Sequence, residues 1–145
     1  MYNWFECKVR YDKTQENGVI KTVTEPYLVD ALSFTEAEER IVKEMEPFIS
    51  GEFSVSNIRR RRFAETFLYE DGDRYYSARL AFITLDEKSG SEKKTAVNML
   101  VQASSLREAM DIVEGEMAKT MVDYDFIGIT ETAIVDVFPY SEQPE

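Results

Sequence analysis

Residues 28–45 read LVDALSFTEAEERIVKEM, and residues 100–117 read LVQASSLREAMDIVEGEM. Laid over each other at a shift of 72, the two stretches share eight of eighteen positions. Ordinary residue usage would give about one such match. The identical residues are those that make a strand end and open a helix. Leu28, Val29 and Ala31 recur as Leu100, Val101 and Ala103, and Ser33, Glu36 and Ala37 as Ser105, Glu108 and Ala109. Glu44 and Met45 recur as Glu116 and Met117. Ser33 followed three residues on by Glu36 is a capping box, and so is Ser105 with Glu108. Behind each, apolar residues spaced three or four apart predict an amphipathic helix, in the first copy over 33–48 through Phe34, Ala37, Ile41, Met45 and Phe48.

Working outward, Phe5, Cys7, Val9 and Tyr11 alternate with polar residues and predict a strand. Asn17-Gly18 signals a hairpin turn into a second strand over 19–32. Pro26 there suggests an edge position or a bulge. At a shift of 71, Trp4, Phe5, Val9 and Tyr11 match Tyr75, Tyr76, Leu80 and Phe82. A strand is also read over 53–69, with Val55 matched to Ile127, and another over 125–138. Segments 53–69 and 74–85 are expected to form a long hairpin around Gly72. The predicted fold is therefore α+β: duplicated ββαβ units, about 3–70 and 74–139, with pseudo-two-fold symmetry. A mainly antiparallel sheet would carry both helices on one face over a shared core. No linker separates the halves, so 1–145 is read as a single domain, and 140–145 as a frayed acidic tail.

Composition narrows the chemistry. The 145 residues include no histidine and one cysteine, Cys7. Ser-His-Asp and Cys-His arrangements are thereby excluded, as are the usual zinc sites and any intramolecular disulfide. Any metal would be a hard cation on oxygen ligands, and neither metal nor cofactor is expected. Cys7 is read as a small buried hydrophobe. The helix acids fall on the face turned to solvent, so carboxylate catalysis is a third-ranked reading. The N-terminal residues lack a secretory pattern and no apolar run approaches membrane length, which points to a cytoplasmic protein without membrane contact.

Arg59-Arg60-Arg61-Arg62 is the only basic run in a chain of net charge −11. Together with Tyr75 it is the candidate site for nucleic-acid or other phosphate binding, with bases stacked on sheet aromatics. Two features oppose that reading. Strand geometry sends Arg59 and Arg61 to one face, Arg60 and Arg62 to the other. The net charge repels polyanions at long range. Val55, Phe63 and Phe67 share parity with Arg59 and Arg61, which predicts a bend or bulge nearby. At the shift of 72 the run meets Glu131 and Thr132, so it belongs to one copy only.

The stretches WFECKVRY at 4–11, TEPYLVDA at 24–31 and SFTEAE at 33–38 resemble a family of uncharacterised proteins from Bacteroides-type bacteria and their phages. That family carries a domain-of-unknown-function label, and the resemblance implies no activity and no site residues. The first expectation is a non-enzymatic binding or protein-interaction module, with a protein partner or a second copy of the chain as its ligand. The alternative is a single-stranded nucleic-acid or phosphate binder centred on Arg59 to Arg62.

Overall fold

Alternation and turn chemistry make the first hairpin. In the computed structural model, which describes residues 3–140, β1 (Asn3–Thr14) runs antiparallel to β2 (Ile20–Ala31), with Asn3 opposite Ala31 and Thr14 opposite Ile20. Gly18 closes the turn at φ +84°, the left-handed region that costs glycine least. The Ser33 cap then starts α1 (Phe34–Met45): its Oγ accepts from the Glu36 N–H at 3.1 Å, and the Glu36 carboxylate accepts from Leu32 N–H at 3.3 Å. β3 (Phe53–Arg61) returns to pair antiparallel with β1. Next come β4 (Glu65–Phe67), β5 (Arg74–Leu85) and β6 (Glu92–Ala103). α2 (Leu106–Met117), β7 (Asp123–Glu131) and β8 (Asp136–Phe138) complete the chain. The fold is α+β, and most of its strand pairs are antiparallel.

The strands divide into two sheets, ordered β3-β1-β2-β8 and β4-β6-β5-β7. Each belongs to its own compact unit, residues 3–62 with 133–140 and residues 63–132. The expected single sheet with both helices on one face is thus corrected: each sheet has one helix. In the first unit Ala37, Ile41 and Met45 of α1 pack with Phe5, Cys7, Val9, Tyr27, Val29 and Ala31. In the second, Ala109, Val113 and Met117 of α2 pack with Tyr76, Ala78, Leu80, Met99, Val101 and Ala103. Burying a side chain of the size of Ile41 or Met45 contributes about 1.5–3 kcal/mol. The rest of the predicted stripe is not core. Phe48 lies beyond α1 and is 77% exposed, and Phe34 is half exposed.

The fourth strand of each sheet breaks the predicted connectivity. No long hairpin forms around Gly72. β3 stays with β1, and after 62–64 the chain enters the second unit, where β4 pairs parallel with β6. After β7 it returns, and β8 pairs parallel with β2. β8 pairs only with Tyr27–Val29, and just ahead of it the Pro26 carbonyl accepts from the Val135 N–H at 2.9 Å, so the missing Pro26 N–H falls on the same outer side, past the end of the β8 ladder. Arg40 of α1 fastens this junction. Its guanidinium donates to the carbonyls of Asp30 and Pro139 and lies 5.6 Å from the Tyr140 ring centre. The predicted acidic tail beyond Tyr140 lies outside the described residues.

Gly72 is required for a different reason than the hairpin glycine. It is buried, and a Cβ there would lie 2.6 Å from the Ala103 backbone at the end of β6. Gly72→Ala is expected to cost about 2–3 kcal/mol through forced backbone displacement. Gly18→Ala meets open space and pays only for its positive φ, about 1 kcal/mol. Urea unfolding of the two variants reads the difference.

Candidate functional site at the arginine strand

The four arginines leave β1–β3 in three directions. A bulge sets them. Lys8 is opposite Asn57 and Val9 opposite Val55, so Ser56 is the extra residue of β3, and its hydroxyl lies 3.3 Å from the Lys8 carbonyl. This is the irregularity that the parity of the segment predicts. It lets both Val55 and Ile58 pack on the α1 side. Arg59 and Arg61 then point away from the helix, with Arg59 directly opposite Glu6. β7 carries the same device, with Ile127 extra between Phe126 and Gly128. The structural counterpart of Val55 is therefore Phe126, at a shift of 71, and Arg59 and Arg60 correspond to Thr130 and Glu131. No basic residue takes their place in the second unit.

Arg59 and Arg61 share one carboxylate. Glu6, whose side chain is 10% exposed, accepts from Arg59 Nη2 at 3.4 Å and from Arg61 Nη1. The Arg59 side chain is 61% exposed and that of Arg61 26%. The mostly exposed Arg59 guanidinium begins a cationic row on this face. It is extended along β1 by Lys8 and Arg10, which alternate with the buried Cys7 and Val9 and are exposed. Arg60 takes the other face and lies 5.5 Å from the Phe5 ring centre and 5.8 Å from that of Phe34. Arg62 is exposed beyond the end of β3. Tyr75 belongs to the second unit, as a buried residue of β5 whose carbonyl accepts from the Thr132 hydroxyl at 2.8 Å.

Other reactive groups serve the packing. Burial, then the nearby Glu6 and Glu38 charges, push the Cys7 thiol up to about 12, which keeps it protonated and poorly nucleophilic. Burial also raises the Asp30 carboxyl, against the opposing pull of Arg40. Glu25 collects two phenols, accepting from Tyr11 at 2.7 Å and Tyr27 at 3.2 Å. This cluster has no local sequence signal, since cross-strand register alone brings Tyr11 to β2. A shallow cleft of about 350 Å³ lies beside Arg10, Asp12, Glu52 and Phe53, with mixed charge on its walls. Among the described residues, no three Cys, Asp or Glu side chains are grouped to hold a metal ion. No helix there is long and apolar enough to cross a membrane.

Three outcomes follow from this geometry. Glu6→Gln removes the charge shared by two guanidiniums and is expected to cost about 1–2 kcal/mol in urea unfolding. Arg59→Gln, at a mostly exposed site, should cost under about 0.5 kcal/mol. Cys7 should resist a disulfide reagent in mildly alkaline buffer and react at once when guanidinium unfolds the chain. Rapid labelling of the native state would contradict its placement.

No curated protein matches the chain. A family model matches residues 3–140, which span both units with their exchanged strands and the arginine strand. The chain belongs to the DUF4494 family, a domain of unknown function.

Proposed function

We propose that this chain is a non-enzymatic protein-interaction module that takes an extended acidic segment of a partner along β3. One observation carries the reading. Among the described residues β3 is an edge of its sheet, paired with β1, and on one face its last residues carry Arg59, mostly exposed, and Arg61, both meeting Glu6. An edge strand presents unsatisfied N–H and C=O groups that an added strand can pair. Arg59 and Arg61 are two residues apart, about 7 Å along the strand, which is the same-face spacing of an extended peptide. Lys8 and Arg10 continue the cationic row on β1. Because Arg60 and Arg62 stand apart from that row, the run is less suited to tracking a nucleic-acid backbone than its sequence suggests. The matching element order of the two units supports an origin by duplication, and only one of the two carries the basic edge. A cytoplasmic setting suits a chain with one buried cysteine and no disulfide.

Fluorescence anisotropy with labelled peptides of alternating Glu and Val, or Lys and Val, tests the reading, with oligodeoxythymidylate as a third probe. The glutamate peptide should bind, the lysine peptide should not, and added salt should weaken binding. Arg59→Gln with Arg61→Gln should weaken it about tenfold or more. Binding of the oligonucleotide alone would replace this reading with the phosphate-binding one. Binding of neither would overturn both.

A further inference from the structure

The chain contains an acidic strand that fits this edge. Among the described residues β7 is an edge of the second unit's sheet, paired with β5. Its first residues, Asp123-Tyr124-Asp125, carry two acids two positions apart. Tyr124 and Phe126 pack toward α2, so Asp123 and Asp125 point away from that helix, as Arg59 and Arg61 point away from α1. Both edge strands are nine residues long and each carries one bulge between its charged end and its other end.

Resting on the reading above, we propose that the acidic segment is β7 of a second copy of this chain, added antiparallel to β3. One register satisfies charge and packing together. Placing Arg61 opposite Asp123 sets Arg59 opposite Asp125, on the faces turned away from the helices. The same register sets Ile58 opposite Phe126 and Val55 opposite Ile129 on the helix sides, where all four already pack against their own cores. The extra residues Ser56 and Ile127 then fall within one position of each other, so the two edges carry their local kinks at the same level. The result is a continuous sheet across two copies. Asp125 presently meets Lys94 at 3.1 Å with both side chains 56% exposed, a pair that solvent already weakens and that exchange would cost little to break. The contact is heterologous, since β3 of one copy meets β7 of the next. Two copies can therefore close reciprocally or the chain of contacts can grow.

Sedimentation velocity on the full chain at low salt, from about 1 µM to about 1 mM, should show association that rises with concentration and falls with added salt. Asp123→Lys with Asp125→Lys, both at exposed positions, should weaken association about tenfold or more while the same variant still binds the glutamate peptide. Mixing it with Arg59→Glu, which should not self-associate, should restore association by pairing opposite charges. A wild-type chain that stays monomeric throughout, or an aspartate variant that associates like wild type, overturns this inference and leaves the glutamate-peptide result to judge the underlying reading. Should Arg59→Glu fail to fold beside Glu6, the aspartate variant still decides.

Discussion

A twelve-residue helix has one narrow apolar stripe, and each sheet has one face that water must not reach. In both units the match is made by three side chains: Ala37, Ile41 and Met45 in one, Ala109, Val113 and Met117 in the other. The rest of the architecture serves that contact. The serine caps fix where each helix begins, and so which residues turn inward. Ser56 and Ile127 bulge outward so that the strands beneath can keep supplying apolar residues to the helix side after the alternation would have failed.

That logic explains what could be read in advance. The strands of the first hairpin, both helices and both capping boxes depend on neighbours within a few positions, and local periodicity exposes them. The bulge in β3 was legible too, because the parity of Val55 and Arg59 conflicts with a regular strand. What could not be read is pairing between distant segments. Segment 53–69 has strand composition throughout, but nothing in it marks Arg62–Ala64 as the point where the chain leaves one sheet for another. Phe48 has the right spacing for the helix stripe, yet Pro47 falls past the last helical turn and carries Phe48 outside.

The candidate site divides along the same line. That four arginines on a strand must split between two faces follows from geometry alone. That Arg59 and Arg61 converge on Glu6 follows only from the β1–β3 register, which pairs residues far apart in sequence. Tyr75 stood near the run in sequence and belongs to another sheet, because proximity along a chain says little where strands change partners. The unit that lacks the basic run has Thr130 and Glu131 in its place, with Ser77 opposite Thr130 where the first unit has Glu6. The two edges thus carry opposite charge on strands of like order.

The exchange of fourth strands also has a consequence in time. A chain made from its N-terminus has β1, β2, α1 and β3 available early, but Tyr27–Val29 cannot gain their outer partner until Asp136–Phe138 exist. The second unit meets no such delay, because β4 precedes β6, the strand it joins. During N-to-C synthesis the outer side of β2 therefore stays open until Asp136–Phe138 emerge to close it. β8 is thus a latch: the unit begun first cannot be completed until the strands of the second unit have been made.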